Sequence, residues 1–286
     1  MYKKHSTNNN GNKTKEVFEK VVNYIQTIVD NGEYKKFLKF QKSFRGYSFN
    51  NLVLIYSQFP DATRVAGKAK WIKLKRELIS NAQKIWIVAP IPRKYEKKVK
   101  KVENGEEIET TETISYNAYR YVYVYDISQT TGEEIPLANR NINSSNMSDF
   151  FEKLKEFSKF PVYEQEIAGG ADGYYSPTRN EIVLEKTLSI DDKAVVLLHE
   201  LSHGLYDDFD YKTDRNLSEV FVESIAYIVA DHFGLDTSRC SFNYITKWAK
   251  GDPKVVIELG SKIQKCANEL ITNIENFEMQ EEKLAA

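Results

Sequence analysis

This sequence of 286 residues has only two cysteines and four histidines. Cys240 and Cys266 are too few for a disulfide scaffold or a cysteine-rich metal site, so we expect free or buried thiols in a reducing cytosol. No apolar run approaches the roughly 20 residues that a membrane helix needs. Residues 1–15 are polar and lack the apolar core of a secretory signal. These absences predict a cytoplasmic protein with no membrane partner.

Charge is balanced over the whole chain but not within its halves. The formal net charge is −1. Residues 1–140 contain 25 basic and 15 acidic side chains, whereas residues 141–286 contain 15 and 26, so the halves carry +10 and −11. This asymmetry predicts two units with different partners, of which only the basic one attracts a polyanion. A composition of 41% hydrophobic and 28% charged residues predicts packed cores rather than disorder.

Hydrophobic periodicity predicts an α+β fold with two domains. Residues 1–14 are predicted to be a disordered tail, and residues 15–135 to form a first domain of helices and strands. Residues 136–147 have the composition of a linker. Residues 148–280 are predicted to form a second, mainly helical domain with a small sheet.

Two of the four histidines lie in the segment AVVLLHELSHGL. His199 and His203 are four residues apart and project from one helical face, a spacing at which two imidazoles ligate one Zn²⁺. Glu200 can reach a metal-bound water, take its proton as general base and later deliver it to the leaving amine. The segment therefore predicts a zinc peptidase site, whereas His5 and His232 are expected to be ordinary surface residues.

The next predicted helix offers a third ligand, because Glu219 and Glu223 share one of its faces. An HExxH motif followed by a glutamate on a later helix resembles the gluzincin pattern, whose ligand glutamate usually has a small residue three positions on. Ala226 occupies that position for Glu223, and Val222 occupies it for Glu219. Glu223 is therefore predicted as the ligand and Glu219 as the residue that orients a histidine. The reverse assignment stays open.

The segment EIVLE, residues 181–185, is predicted to be a strand that precedes the HExxH helix. Under the zinc peptidase hypothesis it is an edge strand that receives a peptide by β-augmentation. The alternative is that it closes the small sheet of the second domain.

The first domain combines positive charge with aromatic residues. Residues 1–102 contain 23 basic and 7 acidic side chains, and a basic groove with exposed rings is typical of sequence-tolerant single-strand binding. Asn104-Gly105 predicts a hairpin whose acidic arm partly cancels the charge of residues 93–101, so we expect the DNA face within residues 34–75. The predicted DNA-binding residues are Arg45, Tyr47, Asn50, Lys68, Lys70, Trp71 and Lys73.

The segments YSFNNLVLIYSQFPDATRVAGKAKW (residues 47–71) and YVYVYDISQTTGE (residues 121–133) resemble the N-terminal single-stranded-DNA-binding domain of ArdC-like antirestriction proteins. The segments GYYSPTRNEIVL, LLHELSHGL and SEVFVESIAYIVADHFGLDT resemble the metallopeptidase domain of the same family. The resemblance covers about residues 15–275 and implies a zincin-like second domain related to the ImmA/IrrE peptidases. It also implies a mobile-element protein that binds incoming single-stranded DNA and helps it escape restriction.

Three functions are consistent with these patterns. The first is a protein that binds single-stranded DNA and cleaves an unknown protein, with one zinc ion per chain. The second is a binding module whose metal site is structural or vestigial. The third is an ImmA-like regulatory protease that cleaves a repressor and whose first domain recognises protein.

Overall fold

The computed structural model describes residues 8–103, 106–135, 147–210, 212–238, 240, 242 and 253–285. These residues form a mixed α+β structure with three small sheets, which confirms the predicted class. The helices are α1 (Asn8–Asp30), α2 (Tyr34–Lys42), α3 (Phe49–Gln58), α4 (Lys68–Lys73), α5 (Met147–Phe157), α6 (Ile190–Tyr206), α7 (Arg215–Phe233) and α8 (Pro253–Ala285). The strands are β1 (Val65–Ala66), β2 (Arg76–Leu78), β3 (Ile85–Glu103), β4 (Glu106–Asp126), β5 (Thr130–Gly132), β6 (Val162–Gln165), β7 (Gly173–Ser176) and β8 (Glu181–Glu185).

Two segments lie outside the predicted domains, and the structure describes each of them only in part. Helix α1 begins at Asn8, within the predicted tail of residues 1–14, and residues 1–7 lie outside the described part of the chain. Residues 136–146 of the predicted linker also lie outside it, and Met147 already belongs to α5. The helical pattern that begins at residue 16 thus extends further towards the N-terminus than its apolar residues indicate.

The chain divides into two compact units. Unit 1 comprises Met1–Val21 and Val65–Glu133, and unit 2 comprises Val22–Arg64 and Glu134–Ala286. The predicted first domain, residues 15–135, is therefore shared between the two units. The charge asymmetry remains, because unit 1 contains 18 basic and 11 acidic side chains and unit 2 contains 22 and 30.

A long antiparallel ribbon of β3 and β4 dominates unit 1. Its register runs from Ile85 opposite Val124 to Glu103 opposite Glu106, as the predicted hairpin requires. The turn residues themselves lie outside the described part of the chain. Strand β1 pairs with β4, and β2 pairs with β5 in a separate two-stranded sheet. One face of the ribbon supplies core residues, since Ile85 and Val124 are buried.

Unit 2 places a small sheet beside the HExxH helix. Strand β8 pairs with β6 in parallel and with β7 antiparallel, so it is the central strand of three. The prediction that residues 181–185 form an edge strand is therefore wrong, because both of its hydrogen-bonding edges are occupied. The strand instead holds the sheet together, and its residues Ile182, Val183 and Leu184 are buried.

Helices α2 and α3 belong to unit 2 because they pack against its later helices. A Cβ on Gly260 of α8 would overlap the ring of Phe49 of α3, which shows how closely these helices approach. The hydroxyl of Tyr34 on α2 lies 3.1 Å from Oγ of Ser224 on α7, and both residues are buried. These contacts join segments that are far apart in the sequence.

Two expectations from composition can be compared with the structure directly. Cys240 and Cys266 are both buried and free, as the sequence predicts for these two thiols. No helix among the described residues is long and apolar enough to cross a membrane.

Candidate metal centre and active site

Helices α6 and α7 bring two histidines and a glutamate together. Helix α6 begins at the N-cap Ser189, whose hydroxyl accepts a hydrogen bond from the amide of Asp192. The Nε2 atoms of His199 and His203 lie 3.6 Å and 4.0 Å from Oε2 of Glu219. One donor atom from each of the three residues lies within 4.8 Å of the others. Two imidazole nitrogens and a carboxylate oxygen are a donor set that fits a divalent ion such as zinc.

Carboxylates also hold the other nitrogen of each imidazole. Nδ1 of His199 lies 2.8 Å from Oε2 of Glu223, and Nδ1 of His203 lies 2.8 Å from Oδ2 of Asp207. Because an ionised carboxylate only accepts hydrogen bonds, each Nδ1 donates, which leaves Nε2 as the nitrogen that can bind a metal ion in place of a proton. The hydroxyl of Ser218 donates to the same Asp207 oxygen at 2.6 Å. Both imidazoles are thus oriented with Nε2 towards Glu219.

The geometry favours the reverse assignment of the two glutamates, which the sequence left open. Glu219 lies on the Nε2 side of both histidines, whereas Glu223 contacts Nδ1 of His199. The prediction rested on a small residue three positions after the ligand. Ala226 and Val222, which occupy that position for Glu223 and Glu219, are both fully buried in α7. The two glutamates lie one turn apart on the same face of α7, so the position of α7 along its axis relative to α6, which the sequence motif does not specify, distinguishes them instead.

Glu200 lies beside the histidines in a buried position. It is 7% exposed, and its Oε2 accepts a hydrogen bond from the amide of Tyr175 on β7 at 2.7 Å. Burial raises the pKa of Glu200, although the neighbouring His199 and His203 and the Tyr175 amide oppose this shift. The HExxH motif therefore presents a fixed carboxyl group with increased proton affinity next to the donor set.

The carboxylates of the site favour positive charge between them. Burial disfavours the imidazolium form of His199, but hydrogen bonds with Glu219 and Glu223 and the charge of Glu200 raise its pKa to about 10. The same hydrogen bond with His199 lowers the pKa of Glu219. A proton on His199 or a bound cation satisfies this arrangement.

A cleft of about 240 Å³ opens next to His199 and Glu200. Gly173 of β7 lines it, and a Cβ there would lie 2.6 Å from Cγ1 of Val196 on α6. A side chain at this position would therefore crowd α6, against which β7 lies when its Tyr175 amide donates to Glu200. The other acidic residues that line the cleft are Asp172, Asp192, Glu223 and Asp236.

Three of the predicted DNA-binding residues lie in unit 2, where they take part in its packing. Arg45 forms an ion pair with Glu275 at 3.2 Å, and its guanidinium also donates to Oγ1 of Thr272 at 2.6 Å. The carbonyl of Tyr47 accepts a hydrogen bond from the side chain of Gln264 on α8. Asn50 is half-buried in α3. The structure assigns these residues to a different unit from the other four.

The four remaining predicted DNA-binding residues lie on α4 in unit 1. Lys68, Lys70 and Lys73 are exposed. Trp71 is fully buried, and its indole Nε1 donates to the carbonyl of Tyr125 at 2.9 Å. The prediction of Trp71 as a ring that faces DNA is therefore wrong, because its ring belongs to the core of unit 1.

Exposed rings in unit 1 lie on the ribbon instead, where the sequence interpretation did not place them. Tyr119, Tyr121 and Tyr123 are 49%, 36% and 54% exposed. The segment YRYVYVYDI alternates tyrosine with other residues, and alternate residues of a strand share one face. This period of two is the signal that could have located them.

Comparison with known proteins places this geometry in a known fold. No family model matches the chain. The uncharacterized protein pXO2-81 of Bacillus anthracis is 25% identical over 94% of this chain and 53% of the relative, so the chain spans about half of that relative's length. Two crystal structures of the antirestriction protein ArdC from plasmid R388, one metal-free and one Mn(II)-bound, match with a TM-score of 0.57. The chain has the ArdC fold.

The ArdC fold extends over most of both molecules. The matches cover 91% of this chain and 98% of the ArdC chains, at 16% and 15% sequence identity. At this identity the likeness concerns the fold, and to that extent it supports the resemblance read from residues 15–275. The Mn(II)-bound ArdC structure and the His/Glu donor set of this chain together make a divalent metal ion plausible here.

Proposed function

We propose that this chain is a mobile-element antirestriction-type protein that binds single-stranded DNA and carries a zinc-dependent peptidase site. The convergence of His199, His203 and Glu219 beside the buried Glu200 carries the peptidase part of this proposal. The fold that the chain shares with an antirestriction protein from a plasmid supports the antirestriction part.

The residues of the site have distinct roles in this proposal. His199, His203 and Glu219 would hold the metal ion, reversing the assignment of ligand and orienting residue made from the sequence. When bound, zinc supplies Lewis acidity towards a peptide carbonyl, and a donor set of two histidines and a glutamate is typical of catalytic zinc. Glu223 and Asp207 keep the imidazoles in the tautomer that leaves Nε2 available.

Glu200 is the proton carrier in the proposed reaction. Its carboxylate takes a proton from the attacking water and returns it to the leaving amine. The Tyr175 amide fixes one of its oxygens, so the carboxylate does not have to be ordered during the reaction. The cleft is lined by His199 and Glu200, and in this proposal it would admit a peptide beside these two residues.

Unit 1 supplies the positive charge for DNA binding. It carries seven more basic than acidic side chains, and unit 2 carries eight more acidic than basic ones. Lys68, Lys70 and Lys73 are exposed on α4, where they can neutralise phosphates. Unit 2 is therefore not expected to attract DNA by charge.

Metal content and proteolysis of the full chain test the peptidase part. We expect about one zinc ion per chain in the wild type and in Glu200→Gln, because this residue is not a ligand. Only the wild type should cleave protein substrates in a screen of host-cell proteins. A wild-type chain that holds zinc but cleaves no protein would contradict the peptidase proposal and favour a binding module with a structural metal.

Salt-dependent binding tests the DNA part. We expect the affinity of the full chain for a single strand to fall linearly with the logarithm of salt concentration. No binding, or an affinity that does not change with salt, contradicts this part of the proposal while leaving the metal site unaffected.

A further inference from the structure

One face of the ribbon in unit 1 is aromatic and open to solvent. Tyr119, Tyr121 and Tyr123 lie on this face of β4 with between one third and just over one half of each residue exposed. Trp86 of β3 joins them, since its ring centroid lies 5.3 Å from that of Tyr121 with the two rings perpendicular. We call these four residues the aromatic face.

At this end of the ribbon, the opposite face serves the core. Ile85, Ile87 and Val124 lie there and are at most 5% exposed. Because strand residues alternate between faces, the ribbon separates a packed side from the aromatic face. The three tyrosine rings are therefore not needed to fill the core of unit 1, although large exposed aromatic residues in a row are unusual on a surface without a partner.

Lysines border the aromatic face. Nζ of Lys84 lies 5.3 Å from the ring centroid of Tyr123, and Nζ of Lys20 lies 5.1 Å from that of Trp86. Lys20 also pairs with Glu16 at 2.9 Å, so Lys84 is the stronger source of positive charge. This combination of cations with aromatic rings is complementary to a polyanion whose units carry flat rings.

The aromatic face is confined to one end of the ribbon. Farther along β3, Lys94 and Glu96 lie on the same side of the ribbon as Trp86, opposite Ser115 and Thr113 of β4. Charged side chains of both signs therefore occupy this side in place of aromatic rings. On this side of the ribbon, among the described residues, rings and positive charge thus lie together where β3 begins and β4 ends.

The spacing of the tyrosines suits a nucleic acid strand. Residues two apart in a strand are about 6.7 Å apart, which is twice the 3.4 Å rise per nucleotide of a stacked strand. Proteins that bind single strands without sequence preference use aromatic rings on which bases stack, together with cations that track the backbone. Duplex DNA keeps the faces of its bases inside the helix, so it cannot use such a surface.

We propose that the aromatic face is the surface on which the bases of single-stranded DNA stack, with the bordering lysines contacting phosphates. This inference rests on the proposed single-strand binding and deepens it by naming the surface. It replaces the predicted Trp71 with Trp86 and the three tyrosines. In this inference the lysines of α4 contribute positive charge near the DNA backbone, and no base stacks on them.

The test measures binding of a fluorescent oligonucleotide of about 15 nucleotides, a length that covers one binding site, to the full chain at several salt concentrations. The triple variant Tyr119→Ser/Tyr121→Ser/Tyr123→Ser should bind at least ~30-fold more weakly, because each stacked base contributes to affinity. Its dependence on salt should equal that of the wild type, since tyrosines neutralise no phosphates. The corresponding triple phenylalanine variant should retain the affinity of the wild type to within about threefold, since phenylalanine also stacks.

Two controls separate stacking from other effects. Tyr163→Ser changes a tyrosine of β6 in unit 2 that is 45% exposed, and it should leave the affinity unchanged. The wild type should bind an abasic strand of the same length and charge as weakly as the triple serine variant binds the normal strand. This second comparison uses the unmodified protein and so does not depend on how the variant folds.

The outcomes distinguish this inference from the proposal on which it rests. If the wild type binds no single strand, both fail. If it binds but the triple serine variant binds equally well, the aromatic face is not the binding surface, while single-strand binding stands. If the substitutions change only self-association in analytical ultracentrifugation, the face is an interface between copies of the chain, and the inference is again overturned.

Discussion

Oε2 of Glu223 lies 2.8 Å from Nδ1 of His199. One turn earlier in the same helix, Glu219 lies at the opposite nitrogen of this imidazole, 3.6 Å from Nε2. Two carboxylates of α7 thus lie on either side of one imidazole. Glu223 contacts Nδ1 and orients the ring, whereas Glu219 lies near Nε2, the nitrogen proposed to bind the metal ion. Substitutions of the two glutamates should therefore have different effects on metal binding.

Replacing Glu219 should remove a metal ligand, whereas replacing Glu223 should only leave the ligand His199 less well oriented. We expect Glu219→Ala to abolish stable binding of zinc and Glu223→Ala to weaken it by about 10- to 100-fold, as is usual for a residue that orients a ligand. Competition with a chelator of known affinity measures both. Glu166→Ala, which alters a side chain that is 79% exposed, is the control. If Glu223→Ala lost zinc and Glu219→Ala kept it, Glu223 would be the ligand, as predicted from the sequence.

Trp71 should matter for stability and not for DNA. Because its ring is fully buried and its indole is hydrogen-bonded, we expect Trp71→Ala to lower the free energy of unfolding by about 3–5 kcal/mol. Lys70→Ala, on the exposed side of the same helix, should change it by no more than about 0.5 kcal/mol. Chemical denaturation measures both. A stability of Trp71→Ala equal to that of the wild type, with weakened binding of single strands, would show that the ring serves DNA after all.

The HExxH helix could be predicted because its determinants are local. The spacing of His199 and His203 and the apolar residues that precede them all lie within one segment, and the structure has a helix there. The choice between Glu219 and Glu223 could not be made in this way. It depends on where α7 lies along its axis relative to α6, which is set by packing between helices and not by any residue spacing within one of them.

The placement of aromatic residues shows the same limit. The amino-acid type of an aromatic residue does not tell whether its ring is buried or exposed. Composition alone therefore placed neither Trp71 in the core nor the tyrosines of β4 on the surface. The assignment of α2 and α3 to unit 2 depends on contacts such as Phe49 with Gly260. Such contacts join distant segments, and periodicity within a segment carries no information about them.

Gly173 should be required for the approach of β7 to the HExxH helix. A Cβ there would lie 2.6 Å from Cγ1 of Val196 and 3.1 Å from the carbonyl of Val183. We expect Gly173→Ala to destabilise the protein by about 1–3 kcal/mol through overpacking. It should also reduce any peptidase activity by moving the Tyr175 amide away from Glu200.

Gly46 provides the matched control for this substitution. A Cβ at Gly46 would meet nothing within 4 Å, so Gly46→Ala should leave both stability and activity near those of the wild type. Thermal unfolding and substrate cleavage measure the two effects. Equal behaviour of the two alanine variants would mean that β7 does not need its close contact with α6.

Glu164 should stabilise unit 2 in a pH-dependent way. It forms ion pairs with Lys193, which is 9% exposed, at 2.7 Å and with Lys155 at 3.3 Å. The hydrogen bond with Lys193 lowers the pKa of Glu164 below its ordinary value of 4.5, although partial burial opposes this. A lowered pKa means that the stabilisation is fully present above the ordinary value and is lost as the pH falls through the pKa of the folded protein.

We therefore expect Glu164→Gln to lower the free energy of unfolding at neutral pH by up to about 1 kcal/mol, because the pair is only partly buried. The difference from the wild type should shrink as the pH falls below the ordinary carboxyl pKa of 4.5, since both proteins then carry a neutral side chain at this position. Urea unfolding over this pH range measures the difference. Glu166→Gln, in the more exposed pair with Lys186, should show a smaller difference at every pH. A difference for Glu164→Gln that is constant with pH would mean that the carboxylate charge is not what stabilises the contact between β6 and α6.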